Sequence, residues 1–301
     1  MSRILISGLV NTETTVRVRQ FPVNYYPIDY PFFGVKTAVS GVGYNLAKAM
    51  TALGDAVQLC AMTGADFAAE YIRDELETLG ISREGVKQKL RETPSSVVLY
   101  DGDGRRQIYC DLKDMQETAY DFPADICADA DIVVATNTNF NRELLWKAKA
   151  AGKTVVTDVH VLSNIYDDYN RDFMRCADIL FLSDESVWED YRAFLWELER
   201  EYQNKIIILG RGSKGAAMYL KEENRFVELP AVELGPVVNT VGAGDALFSG
   251  FVHYYAKGMD PVEALKRAQV FAAAKIRVSG AAQGFVTEEE VERLYQDCYG
   301  W

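Results

Sequence analysis

Histidine is scarce in this chain: only His160 and His253 occur among 301 residues. Zinc sites built from several imidazoles, and the His-Glu-x-x-His helix of metalloproteases, are thereby excluded. Cysteine is thin and scattered. Cys60, Cys110, Cys127, Cys176 and Cys298 are odd in number, far apart and without any Cys-x-x-Cys, which argues against a disulfide framework and for a reducing compartment. Long apolar runs are lacking: nothing approaches the ~18 residues of a membrane span. Met1-Ser2-Arg3 leads straight into a strand-like Ile4-Leu5-Ile6 without a small-residue cleavage site, so a cytoplasmic location with no membrane partner is expected. Basic charge is in deficit, with 32 Lys and Arg against 44 Asp and Glu and a net charge of −12. Such a field repels nucleic-acid backbones, although a local nest of N–H groups can still hold one small anion. Several catalytic signatures are missing as well. There is no Gly-x-Ser-x-Gly elbow, and the first strand runs into Gly8-Leu9-Val10-Asn11 where a dinucleotide pyrophosphate would need a three-glycine turn. Gly152-Lys153-Thr154 imitates a P-loop, but Lys147 stands at its leading glycine position and the segment precedes a strand.

What remains is an ordinary folded composition, 49% hydrophobic and 25% charged. Ile4–Leu9, Ala56–Ala61, Asp131–Ala135, Thr154–Asp158, Ile179–Leu182 and Ile206–Leu209 are short, almost wholly apolar runs, the pattern of strands covered on both faces of a parallel sheet. Between them lie candidate helices at 43–53, 66–79, 141–151, 184–202, 242–257 and 261–279, a spacing that predicts an α/β fold of repeated crossovers. Asp260-Pro261-x-Glu263 and Thr287-x-x-Glu290 are helix starts, and Lys257-Gly258 is a helix end. His253 falls within an apolar helix and reads as a packing residue. Two regions break the rhythm. Residues 12–40 combine strand-like alternation with an aromatic and proline-rich stretch, and residues 95–110 form hairpin arms around Asp101-Gly102-Asp103-Gly104. They read either as a small β flap on the body or as an edge extension of its sheet. No repeat or linker divides the chain, so one domain over 1–301 is expected.

The most informative segment is Asn239-Thr240-Val241-Gly242-Ala243-Gly244-Asp245. Small residues opening a helix let an anion approach unsatisfied N–H groups at the positive end of the helix dipole. Asp245 in the first turn has two readings. It can be a carboxylate that the dipole favours, a contribution of ~0.3–1 kcal/mol, or a general base accepting a hydroxyl proton beside those amides. The glycines favour the second, because a simple cap does not need an entropically costly Gly-Ala-Gly.

This segment resembles the C-terminal signature of the PfkB/ribokinase family of sugar and nucleoside kinases, Asp-Thr-x-Gly-Ala-Gly-Asp, with Asn239 in place of the leading Asp. Ser40-Gly41-Val42-Gly43-Tyr44-Asn45 is similar to the family's N-terminal Gly-Gly-x-Gly-x-Asn, with Ser40 at the first glycine. Gly8-x-x-Asn11-x-Glu13 and Gly210-Arg211-Gly212-Ser213-Lys214-Gly215 add two further matches, in order, over nearly the whole chain. The resemblance implies a ribokinase-like three-layer α/β/α sandwich with a mostly parallel central sheet and a small β lid formed by about 12–40 and 95–110.

It also implies roles. Asp245 would be the base, Gly242, Ala243 and Gly244 the anion hole, and Gly212, Ser213 and Lys214, with Thr240, the nucleotide's neighbours, Lys214 being otherwise a solvated turn residue. Asn11, Glu13, Gly41 and Asn45 would hold acceptor hydroxyls. Without that contact, Asn45 is a helix cap and Glu13 an exposed strand charge. ATP and Mg²⁺ are the implied cofactors. The family's metal-positioning Asn-x-x-Glu is degenerate here: Asp184 or Glu185 can substitute, or Ser183-Asp184 can cap the following helix. A monovalent cation such as K⁺ beside the catalytic turn would have Asn239 where the family has a carboxylate. Aromatic residues at Tyr25, Tyr26, Phe32, Phe33, Tyr100 and Tyr109 can stack on a ligand, pack the lid or form a homodimer face. The implied activity is transfer of the ATP γ-phosphate to a primary hydroxyl of a ribose-like sugar or ribonucleoside. Gly41-Val42-Gly43-x-Asn45 with Asp114-Met115 is similar to pseudouridine kinases, and a non-catalytic ligand sensor of the same fold is the alternative from another class.

Overall fold

Strands buried on both sides sort their side chains by alternation, every second residue facing one core and the rest the other. The computed structural model describes residues 1–186 and 190–300. Its strands are β1 (Arg3–Ser7), β2 (Asn11–Arg17), β3 (Val35–Ser40), β4 (Ala56–Thr63), β5 (Val86–Gln88), β6 (Ser95–Tyr100), β7 (Arg106–Asp111), β8 (Ile132–Ala135), β9 (Thr154–Val161), β10 (Ile179–Ser183), β11 (Ile206–Gly210), β12 (Ala216–Leu220) and β13 (Arg225–Leu229). Its helices are α1 (Val42–Ala52), α2 (Phe67–Thr78), α3 (Arg142–Ala150), α4 (Arg171–Cys176), α5 (Tyr191–Tyr202), α6 (Ala243–Ala256), α7 (Pro261–Lys275) and α8 (Glu288–Tyr299). No helix among the described residues is long and apolar enough to cross a membrane.

A nine-stranded sheet runs β13-β12-β11-β10-β9-β8-β1-β4-β5. The six apolar runs legible in the sequence form its parallel centre, and β12 alone is antiparallel to its neighbours. Ile4, Ile6, Ile206 and Ile208 face a core shared with α1, α6 and α7, while Leu5, Ile207 and Leu209 face a second core with α3, α4 and α5. Each fully buried Leu or Ile contributes about 1.5–3 kcal/mol, so a one-residue slip of any central strand would reverse two cores at once. The result is a three-layer α/β/α sandwich with a mostly parallel sheet.

A separate four-stranded sheet, β3-β2-β6-β7, is built from the two segments that break the rhythm. β6 and β7 pair as a hairpin in which Val97 faces Tyr109. Residues 18–34 connect β2 to β3 and leave Tyr25, Phe32 and Phe33 exposed. Asp66 ties this sheet to the body: it caps α2 by accepting from the Ala69 amide, and also accepts from the Thr93 amide at 2.7 Å just before β6.

Three local readings change. The helix expected over 184–202 begins at Tyr191, because Asp190 caps it by accepting from the Ala193 amide at 3.0 Å. Asp184–Ser186 is a separate 3₁₀ turn, so Ser183-Asp184 is not that helix's cap, and 187–189 lie outside the described residues. The helix expected over 261–279 stops at Lys275, ahead of Gly280 at φ 102°. His253 is buried, yet its Nδ1 bonds the Asp55 carboxylate at 2.8 Å, a polar contact that an apolar helical pattern conceals.

Burial raises the Asp66 pKa, but hydrogen bonds from Thr93 and Ala69 outweigh it and leave a net depression. Asp66→Ala is expected to cost about 1–2 kcal/mol in urea unfolding. Because the folded pKa lies below the unfolded one, the wild-type advantage should be full above the ordinary carboxylate range and vanish as pH falls through the folded value. An unchanged midpoint at neutral pH would contradict this role for the tie.

Candidate active site

In open parallel sheets ligands bind in the crevice outside the C-terminal ends of the strands, at the edge where the following loops gather. Above that edge stands the N-terminus of α6. Gly242 precedes it at φ 81°, and a β-carbon there would lie 2.2 Å from the Ala281 carbonyl oxygen, so only glycine fits both the angle and the space. The Ala243 amide is occupied by the Thr240 carbonyl at 3.1 Å, whereas the amides of Gly242 and Gly244 have no backbone acceptor among the described residues. Gly244 is exposed, with no atom within 4 Å of where a side chain would begin. The turn is therefore open to an anion at Gly242 and Gly244, while Ala243 supplies smallness more than a free donor.

Asp245, half-buried, points back toward α1. Its Oδ2 accepts from Asn45 Nδ2 at 2.7 Å. This joins residues 200 apart in sequence and removes the capping reading of Asn45, which makes no cap bond in α1. The helix can come so near because Gly43 meets Gly8 backbone at the end of β1, where a β-carbon would be 2.8 Å from the Gly8 carbonyl carbon. Gly41 precedes α1 at φ 99°. Burial raises the Asp245 pKa; the Asn45 bond and His160 oppose that rise and Asp158 adds to it.

Glu13, on β2, is half-buried rather than an exposed strand charge. It accepts from Ser40 Oγ at 3.3 Å, and burial, opposed by that bond, raises its pKa with a further push from Asp245. Asn11 is buried and donates to Ser96 Oγ at 3.1 Å. The side-chain carbonyl oxygens of Asn11 and Asn45 are buried and find no partner among the described residues, an arrangement suited to hydroxyl donors of a ligand.

A cavity of about 320 Å³ opens at the same edge, bordered by Val42, Gln116, Thr136, Asn137, His160 and Tyr169. Val42 and Thr136 also border the narrow cleft lined by Asp158 and Asp245, so cavity and cleft adjoin. His160 arrives there through a β-bulge. Pairing steps from Asp158 opposite Phe181 to Val161 opposite Ser183, so β9 spends two residues where β10 uses one. His160 itself takes φ 57°, an uncommon conformation for a non-glycine residue. Asp158 beside it holds the imidazole pKa up at about 9, against the opposing effect of burial. Burial pushes the Asp158 carboxyl up, but the neighbouring His160 reverses this and leaves it depressed. No motif of the sequence includes His160 or Asp158; their only signal is a polar Asp-x-His near the end of a strand rich in valine.

The remaining sequence candidates lie along the same edge. Gly212, Ser213 and Lys214 form an exposed 3₁₀ turn after β11, and Thr240 is exposed before α6. Asp184 is half-buried and Glu185 exposed after β10. No group of three or more His, Cys, Asp or Glu side chains placed to hold a metal occurs among the described residues. Asn239 Oδ1 accepts from the Val241 amide at 2.8 Å, so it braces its own turn. Lys275, fully buried at the end of α7, donates to the Gly280 carbonyl at 2.6 Å and to the Val241 carbonyl. Desolvation lowers its pKa to about 8, with Asp245 and Glu13 opposing.

A mostly parallel α/β sandwich with an anion-ready helix start and a half-buried carboxylate at its loop edge is the arrangement of a phosphotransferase with an alcohol acceptor. The chain belongs to the pfkB carbohydrate kinase family, whose model matches residues 2–288. It is similar to the nucleoside kinase of Methanocaldococcus jannaschii, at 22% identity over 98% of this chain and 97% of that one. It is 27% identical to an ATP-dependent ribose-1-phosphate kinase of Halopiger xanaduensis, over 93% of this chain and 94% of the relative. Among solved structures, a microbiome-derived acarbose kinase superposes with a TM-score of 0.87 at 24% identity, covering 98% of both chains.

Asn45→Ala removes the donor that most opposes the rise of the Asp245 pKa. The Asp245 carboxyl, followed by ¹³C NMR, should then titrate at higher pH than in the wild type. A titration that stays put or moves down would show that Asn45 does not govern it.

Proposed function

We propose that this enzyme transfers the γ-phosphoryl group of ATP to a primary hydroxyl of a ribose-like sugar or a ribonucleoside. The observation that carries this reading is the Asp245 carboxylate, held by Asn45 in the cleft beside the cavity and one residue beyond the open amide of Gly244. In this reading Asn11, Glu13 and Asn45 bind and orient acceptor hydroxyls, with Gly41 keeping the backbone close. Asp245 takes the proton of the hydroxymethyl group as its oxygen forms the bond to the γ-phosphorus and the β–γ bridging oxygen departs with ADP. The amides of Gly242 and Gly244, with Ala243 between them, stabilise the transferring group. Gly212, Ser213, Lys214 and Thr240 flank the nucleotide. Magnesium, when bound to the triphosphate, neutralises its charge, and Asp184 or Glu185 would hold it through water. The His160 imidazolium and Asp158 add a donor and an acceptor for a polyol.

The second sheet is the lid in this reading, its strand β2 carrying Asn11 and Glu13 into the site, and its exposed aromatic segment the face on which a second copy of the chain packs. Closure excludes water from the transfer.

ATP consumption measured over a panel of pentoses, hexoses and ribonucleosides should single out an acceptor with a ribose-like primary hydroxyl. Ligand binding without turnover across the panel would instead favour a sensor. Asp245→Asn should lower kcat by about 10²–10⁴-fold while leaving ATP affinity within a few-fold. The base works as a carboxylate, so activity must fall when it is protonated. Because its pKa is raised, the acid limb of the kcat profile should lie above the ordinary aspartate range and disappear in Asp245→Asn. A variant retaining a third or more of the wild-type kcat would overturn the assignment.

A further inference from the structure

Lysine is among the residues least often buried without a carboxylate partner. Lys275 is 0% exposed, and its ammonium sits on main-chain carbonyls. The Val241 carbonyl belongs to the catalytic turn, and the Gly280 carbonyl precedes Ala281, the residue that confines Gly242. Two carbonyl oxygens that converge behind a helix N-terminus repel each other unless a cation lies between them. Here that cation is part of the chain.

The geometry has a direct effect on the anion site. The Val241 carbonyl and the Gly242 amide share one peptide plane and point in opposite directions. Drawing the carbonyl back onto the ammonium turns the Gly242 N–H outward and polarises it further. A diffusible monovalent cation does not fit the same place. Both carbonyls are already engaged, Asn239 brings no negative charge, and its Oδ1 is engaged by the Val241 amide. A second cation would also meet the ammonium at close range.

We propose that the Lys275 ammonium is the resident cation of the anion-binding turn, positioning the Gly242 amide for the transferring phosphoryl group, so that this enzyme needs no monovalent metal ion. This rests on the kinase reading above. Lys275 is a positioning residue, since it touches the turn and not the substrate.

The test compares the wild type, Lys275→Met and Lys275→Ala in potassium chloride and in tetramethylammonium chloride at equal ionic strength. Wild-type kcat should agree within about twofold between the two salts, whereas Lys275→Met should lose about 10–100-fold in kcat with the acceptor KM within about twofold. Lys275→Ala vacates the space between the carbonyls, so potassium should restore part of its kcat and raise its Tm specifically, while the wild-type Tm shows no potassium-specific shift. A tenfold or greater dependence of the wild type on potassium would overturn the proposal, as would a Lys275→Met enzyme with unchanged kcat. If the lysine variants fail to fold, the wild-type salt comparison still decides. An enzyme silent on every acceptor sinks the kinase reading alone, because the potassium-specific Tm response of Lys275→Ala against the wild type still answers for the cation.

Discussion

The constraint on which the rest depends is burial of the central sheet on both faces. Strands covered by helices above and below have no room for polar side chains except at their ends, and parallel pairing gathers the productive ends at a single edge. Asp158 and His160 leave β9 there, Gly8 and Asn11 follow β1, and the 3₁₀ turns after β10 and β11 lie along the same edge. Helices α1 and α6 then present their N-termini to that edge from the same layer. Site and core are consequences of one alternation of apolar residues.

Electrostatically the site works against its surroundings. The chain carries a net charge of −12, and of its carboxylates Asp158 and Asp245 share one cleft, with Glu13 near enough to feel Asp245. What makes that tolerable is local: an imidazolium at His160, an ammonium at Lys275, and neutral amides at Asn45, Gly242 and Gly244. Asn45 acts on Asp245 through a direct hydrogen bond, and His160 and Lys275 act on it as nearby positive charges, so the balance is set locally and not by the net charge of the chain. Burial keeps Asp245 more basic than an exposed aspartate.

The fold was legible to the extent that apolar runs and punctuation specify it. The six central strands, the hairpin around 101–104 and the caps at Asp260 and Thr287 coincide with the structure because each is a local signal. Failures came where one local signal competed with another. Ser183-Asp184 and Asp190 are both plausible caps, and the structure uses the second. His253 lies in an apolar pattern, yet Asp55, which meets it, is remote in sequence. The glycine-rich turn was readable because its spacing is its chemistry. The bulge that delivers His160, and the carbonyl pair that holds Lys275, arise only from pairing register and from chain segments brought together by folding. No spacing encodes them.

The link between Asn45 and Asp245 has an implication for biosynthesis. Asn11, Glu13 and Asn45 leave the ribosome well before α6 does, so a nascent polypeptide carries one partner of the Asn45–Asp245 hydrogen bond long before the other. Closing a contact between residues 200 apart also carries the loop-closure entropy of the chain between them. A chain cut short before α6 therefore lacks the glycine turn together with the carboxylate that Asn45 holds, and under the proposed function it would offer an acceptor side with no group to take the proton.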